Sequence, residues 1–397
     1  MKRFIVVLIM LFAGLQSAQA GGYQIPEAGI KAMGMANAFT AVADDASALW
    51  YNPAGLAFAK SGQVIAGGVL IAPNMRHTSN AGVGTSAKND LALVPHLYIS
   101  DIQEDTGIAW GLGVNAPFGT KMEWPTTAPF AANALFGNLE GLIINPNIAF
   151  KISDHFAISV GVDYGWLKNV DFDTAGLKQN FNGDGWGYNV GLLYKTDKFN
   201  FGATYRSKIT VDAKGTSTIP ALAATTPNTI QVTLPDMFSA GVAFVPVDSL
   251  TVSLNVDWVN WKKFNELAFK YSAPGFPLGA SLTVPENWKA TTSFRIGAEW
   301  AYSESLRLRA GYTYDPTPVA DPEFTPLLPS NDINSFSTGL GYDMSDSLTV
   351  DLAYMYVKIK DRQQTLSVNE PGNNNATRNG LYKADLHLFG SSMTYHF

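Results

Sequence analysis

From about Gln63 onward, apolar and polar residues alternate with a period of two, the spacing that sends successive side chains to opposite faces of a β-strand. In the stretch 250–258, Leu250, Val252, Leu254, Val256 and Trp258 occupy one face and Thr251, Ser253, Asn255 and Asp257 the other. The pattern returns over 156–166, 294–300 and 306–314. Aromatic residues gather where such strands would leave a bilayer: Trp166, Tyr194, Trp258, Trp261, Trp300, Tyr302, Tyr312, Tyr314, Tyr354, Tyr356 and Tyr395. Amphipathic rings at strand ends form the girdles of membrane barrels. Short polar turns (101–106, 153–155, 196–198, 246–249, 303–305, 344–347) alternate with longer Gly/Pro/Asn-rich stretches (73–90, 117–142, 171–184, 215–229, 262–290, 316–333, 361–383). Fourteen segments lie between these connections, with both ends on the short-turn side. A soluble β-sandwich would alternate as well; the girdles and the loop asymmetry predict an all-β membrane protein, a 14-stranded antiparallel outer-membrane β-barrel.

Composition sharpens this picture. The chain has 397 residues, 46% hydrophobic and 15% charged, against roughly 25% charged in ordinary soluble domains. After the first twenty positions no apolar run approaches the roughly 20 residues that a membrane-crossing helix needs, which excludes a helical transporter. The net charge of −6 argues against a nucleic-acid partner, and the absence of Cys excludes disulfides and thiol chemistry. Lys2 and Arg3, the apolar stretch Phe4 to Leu15 and Ala18-Gln19-Ala20 follow one another as the parts of a signal peptide do. The division expected is a signal peptide at 1–20, a plug at 21–61 and the barrel at 62–397. At the other end, Met393, Tyr395 and the terminal Phe397 share one face and resemble the C-terminal signal of proteins inserted by the outer-membrane assembly machinery. The expected location is the outer membrane of a Gram-negative cell.

Chemistry is sparse. The five histidines (His77, His96, His155, His387, His396) have no neighbouring Ser/Asp motif, no Gly-x-Ser-x-Gly elbow occurs, and no His pair has metal-ligand spacing. No catalytic residue, metal or cofactor is expected. A general diffusion porin is the main rival to a plugged barrel, but it would have an open, charged lumen and no forty-residue plug.

The segment 21–61 does not alternate and is rich in Ala, Gly and Met. Fourteen strands enclose a lumen too wide for wall side chains to fill, so this stretch suits a plug inside it, with a periplasmic tail as the competing reading. Its residues Tyr23-Gln24, Gly34 to Ala38, Ala43-Asp44-Asp45-Ala46 and Asn52-Pro53-Ala54 resemble the hatch of the FadL family of outer-membrane transporters for long-chain fatty acids and other hydrophobic compounds. The resemblance continues through Trp186-Gly187 to Tyr194, Tyr205-Arg206-Ser207, Leu234-Pro235-Asp236-Met237, Trp258 to Phe264 and Arg295-Ile296-Gly297.

The resemblance implies passive uptake by a monomer. A hydrophobic ligand, fatty acid or aromatic hydrocarbon, is captured outside, passes to a pocket within the barrel and leaves sideways into the outer-membrane lipid through a gap at a kinked third strand. Gly111, Gly113, Asn115, Pro117 and Gly119 are the residues expected at that exit, since Pro117 cannot donate to a ladder and glycines leave the wall thin. Tyr23, Ile25 and Met33 of the hatch are expected to line the pocket. Arg206, Lys208, Arg295, Arg307 and Arg309 are candidate partners for a carboxylate, although Asp163, Asp257, Glu299 and Asp351 share their inward faces and could pair with them instead. The connection 171–184 is short and polar where fatty-acid transporters of the family carry a long helical loop, so the outer capture site is expected elsewhere, with 130–136 as one apolar alternative.

Overall fold

The computed structural model describes residues 21–365 and 376–397; the expected signal peptide lies outside them. Ten strands run unbroken: β1 (Gln63–Ser79), β2 (Ala92–Gln103), β3 (Ile108–Glu123), β4 (Phe136–Ser153), β5 (Phe156–Asp173), β6 (Lys178–Lys195), β11 (Leu306–Asp315), β12 (Ile333–Ser345), β13 (Leu348–Gln364) and β14 (Gly380–His396). Four are interrupted in mid-course: β7 (Phe199–Arg206, Ile209–Ile219), β8 (Ala224–Leu234, Met237–Val247), β9 (Leu250–Val259, Glu266–Tyr271) and β10 (Ser281–Pro285, Thr291–Ala301). Each pairs antiparallel with its neighbour, and β1 closes onto β14 from Gln63↔His396 to Ser79↔Gly380, completing the fourteen-stranded barrel. Closure removes sheet edges, which is what lets a sheet cross lipid.

The alternation sorts as the sequence predicts. Leu254, Phe294 and Phe336 are more than half exposed on the outside, while Asp163, Asn189, Asn255 and Arg295 are buried facing inward. Trp166, Tyr194, Trp300, Tyr302 and Tyr395 lie exposed on the outer surface as girdle residues. Trp261 does not: it is 1% exposed, because β9 breaks after Val259 and a short 3₁₀ turn, Trp261–Lys263, rotates the indole into the lumen. Two long loops expected from sequence are largely strand. The ladder between β6 and β7 reaches Lys178↔Thr218, and that between β7 and β8 reaches Ala224↔Ile219. Exposed Thr, Asn and Lys on strands projecting beyond the bilayer read as loop, yet the ladder satisfies their backbone.

The breaks in β7 and β8 face each other. Arg206↔Met237 and Ile209↔Leu234 are the flanking rungs, so Ser207-Lys208 lies opposite Pro235-Asp236. The lumen changes character at this level. On the side of the chain ends, inward positions are Asn189, Arg206, Asn255 and Arg295; on the outer side they are Val211, Ile230, Val232, Leu267 and Phe269, all buried.

Residues 23–58 lie inside the barrel and are buried almost without exception. Two short helices, α1 (Ile30–Gly34) and α2 (Ala48–Tyr51), and a 3₁₀ turn (Pro53–Phe58) are joined by tight bends, with Ala36 and Asn37 both at positive φ after α1. This hatch touches the wall around its circumference: the Tyr98 hydroxyl donates to the Ala28 carbonyl (2.6 Å), Thr313 Oγ1 to the Ala36 carbonyl (3.0 Å), and Ser337 Oγ to the Gly34 carbonyl (3.1 Å). Gly311 is needed where it stands, since a Cβ there would lie 2.6 Å from the Met35 carbonyl carbon and 2.7 Å from Ala36 Cβ.

Candidate functional site

Above the hatch, in the apolar outer half of the lumen, is a cavity of about 370 Å³. Its floor is Tyr23, and its walls are Phe172, Val232, Phe264, Leu267, Phe269, Val284, Trp288, Leu327 and Leu328. Tyr23 is held from two directions. Its hydroxyl donates to the Thr233 carbonyl (3.1 Å), and its ring meets Trp261 edge-on at 4.8 Å between centroids and Phe264 at 5.2 Å. Trp288 closes the cluster against Phe264 at 4.7 Å. Offset and edge-on aromatic contacts of this kind fix ring positions while presenting apolar surface to a ligand.

Four carboxyl or guanidinium side chains line this space: Asp173, Glu286, Glu323 and Arg378. Glu286 is 7% exposed, and its Oε2 accepts from Trp288 Nε1 at 3.0 Å. Burial, opposed by that hydrogen bond, pushes its carboxyl up to about 8. Arg378, in the short 3₁₀ turn Ala376–Arg378, lines the same cavity.

Of the expected pocket residues, Tyr23 alone lines this cavity. Ile25 and Met33 are buried lower, Ile25 beside the bend of β3 and Met33 against the wall at Gly390. The four inward arginines are committed to acids. Arg206 Nη1 pairs with Asp163, its Nη2 donates to the Trp50 carbonyl (3.2 Å), and its guanidinium lies over the Trp50 ring. Arg295 pairs with Asp257 (2.5 Å), Arg307 with Asp343, and Arg309 with both Glu299 and Asp351 (2.5 Å each). Lys208 points outward and is exposed. Wall and hatch thus absorb these cations, the competing use that the inward acidic residues offered. Phe264, Glu286, Trp288 and Arg378 were not legible as cavity-lining residues because they fall in stretches read as loop; the aromatics Phe264, Phe269, Tyr271, Phe276 and Trp288 spread along 262–290 were the available signal.

The hatch motif is structural. Asn52 Nδ2 donates to the carbonyls of Thr40 and Leu192, both at 2.9 Å, and its Oδ1 accepts from the Ala54 amide (3.3 Å). Asn52 therefore caps the 3₁₀ turn that Pro53 begins and ties it to β6.

At the third strand, pairing of β2 with β3 runs from Gln103↔Ile108 to His96↔Asn115 and stops, although β2 extends back to Ala92 and β3 on to Glu123. Beyond a register shift between Asn115 and Phe118, β3 pairs only with β4 on its wall side. Its freed edge pairs with the hatch: the Ile25 amide donates to the Pro117 carbonyl (2.7 Å) and the Gly119 amide to the Tyr23 carbonyl (2.8 Å). Gly111 and Gly113 sit in the paired part of the strand, making room for Leu49 and Tyr98, not in the unpaired stretch. In the alternative capture stretch 130–136, Phe130 is fully buried, edge-on to Trp124 and His77 at 5.1 Å each, and Ala131 and Ala134 are buried with it, leaving Ala132 and Asn133 exposed.

A closed antiparallel barrel of fourteen strands, with residues 23–58 packed against its inner wall and an apolar cavity above them, is the architecture of an outer-membrane transporter. Over residues 11–397 the sequence matches the family described as outer membrane protein transport protein (OMPP1/FadL/TodX), and the chain belongs to it. It is 24% identical to outer membrane protein P1 of Haemophilus influenzae, with 100% of both chains covered. It is 25% identical to a long-chain fatty acid transport protein of Escherichia coli, over 96% of this chain and 95% of that one. Among solved structures, a Pseudomonas aeruginosa FadL homologue superposes with a TM-score of 0.79 at 19% identity, covering 95% of this chain and 100% of the other. The Ralstonia pickettii toluene transporter TbuX gives 0.70 at 16% identity, covering 93% and 98%. The family transports hydrophobic compounds across the outer membrane.

Proposed function

We propose that this chain takes up long-chain fatty acids passively, by way of the cavity above Tyr23 and a sideways exit between β2 and β3 at Pro117. The observation that carries the reading is continuity: Tyr23 is at once the floor of the apolar cavity and, through its carbonyl, a partner of the bent third strand. A small shift of residues 23–25 would open both together. An apolar solute gains nothing from a watery axial channel, whereas the bilayer beside the gap solvates it. The buried hatch disfavours a diffusion porin. An aromatic-hydrocarbon cargo is the second reading, favoured by the aromatic cluster Tyr23, Trp261, Phe264 and Trp288 and by the solved neighbour named for toluene. The protein works as a monomer in outer-membrane lipid after insertion by the assembly machinery.

The test is uptake of radiolabelled oleate and toluene by a Gram-negative strain lacking its own transporters of both, beside conductance of the purified protein in planar bilayers. Oleate uptake with little steady ion current supports the reading. Toluene uptake alone selects the second, and a large steady current selects a porin.

A further inference from the structure

Among the described rungs of the barrel, a single one sets two like charges directly opposite each other: Arg76 of β1 faces Lys383 of β14. Both side chains are exposed on the outer surface of the wall. Cross-strand partners stand about 4.5–5.5 Å apart at Cα, and like charges so placed destabilise a sheet.

Neighbouring acids relieve the repulsion only in part. Lys383 shares Asp361 (3.3 Å) with Lys358 (3.1 Å), and the exposed Lys360 beside them forms no ion pair with a described residue. Arg76 forms none either; its Nε donates to Asn74 Oδ1 (3.2 Å). Asp385 is turned to Asn74, which donates to its Oδ1 (3.2 Å). Four cations thus stand against two carboxylates, and two positive charges are left over.

The patch lies where the outer wall turns from apolar to polar. Two outward rungs toward the chain ends are Tyr356 and His387, and one further are Tyr354 and the exposed Phe389. Aromatic rings mark the level of lipid head groups, so the basic patch stands at the head groups of the outer leaflet, where clustered Lys and Arg attract lipid phosphate.

We infer that the outer face of β13, β14 and β1 binds an acylated sugar phosphate of the outer leaflet, its phosphate bridging Arg76 and Lys383 and its acyl chains lying along Phe389 and Tyr354. A phosphate monoester carries close to two negative charges near neutral pH, which matches the two left over and turns the repulsive rung into a clamp. The guanidinium supplies paired donors for its oxygens and the ammonium a point charge.

The experiment titrates the full chain in detergent with lipid A, with lipid A stripped of its phosphates and with inorganic phosphate, read by native mass spectrometry. The wild type should hold lipid A about tenfold or more tighter than the stripped lipid. R76Q/K383Q should lose that preference with unchanged β circular dichroism, while R76K/K383R should keep most of it. K214Q, at an exposed lysine of β7 on the opposite wall, should leave it intact. Equal affinity for the two lipids, an undiminished preference in R76Q/K383Q, its loss in R76K/K383R or its loss in K214Q would each overturn the inference. Displacement of lipid A by equimolar inorganic phosphate would also overturn it, by showing a site for the free ion.

Discussion

The amide of Ile25 donates to the carbonyl of Pro117 across 2.7 Å, one of the two bonds that flank an isolated antiparallel bridge between Gln24 of the hatch and Phe118 of the third strand. Pro117 has lost its own amide to the ring, and β3 beyond it has lost β2 as a partner. The start of the hatch is therefore what satisfies the inner edge of the bend. Release of the hatch would leave this edge of the third strand unpaired.

That pairing can be locked. Gln24 and Phe118 form the non-hydrogen-bonded pair of the bridge, where Cα atoms stand about 4.5 Å apart, within disulfide range. The chain has no other Cys to interfere. Q24C/F118C should assemble normally, lose most oleate uptake when oxidised and regain it with a membrane-permeant reductant. Uptake indifferent to the redox state would separate the bridge from transport.

Asn52 holds the hatch to the wall. Replacing it with Ala strands two buried carbonyls, those of Thr40 and Leu192, at a cost of about 2–4 kcal/mol. Hydrogen exchange of amides 40–58 should quicken accordingly while barrel amides keep their protection.

Gly311 offers the opposite perturbation, a wall that pushes. A Val side chain there meets Met35 and Ala36 backbone within van der Waals distance. G311V should still close as a barrel, visible as unchanged β circular dichroism, and should show a larger and noisier ion current than the wild type because the hatch no longer seats.

The hatch should also respond to pH. Burial raises the Glu27 carboxyl from 4.5 to about 7, against the opposing influence of Arg295 and a hydrogen bond from Asn37. The folded hatch then binds more protons than the unfolded one between those values, so docking weakens as pH rises through that window, by about 1–3 kcal/mol. Asp45, raised by burial to about 6, adds in the same direction. Hatch amides, corrected for intrinsic rates, should exchange faster at pH 8 than at pH 5, and E27Q should flatten the difference.

Period-two alternation, the aromatic belts and the uneven connections determined from sequence alone that this chain is a closed barrel of fourteen strands, because each is a local consequence of lipid on one face and a lumen on the other. The stretch before Gln63 lacks that alternation and is buried among the wall residues, and the register shift of the third strand falls between Asn115 and Phe118, beside Pro117. Which inward cations neighbouring acids take up was decided only by tertiary structure. Arg206 and Arg295 face inward as their positions in the alternation require, yet Asp163, two strands away, and Asp257, on the adjacent strand, claim them. Arg378 lies in a connection with no periodicity, and folding alone brings it to the cavity that Tyr23 and Trp288 also line. Gly111 and Gly113 show the same limit: sequence shows that side chains are missing there, and only the packed hatch shows that Leu49 fills the space. Strand identity is encoded residue by residue, whereas a lumen is made from side chains hundreds of positions apart, whose pairing depends on register around the whole wall.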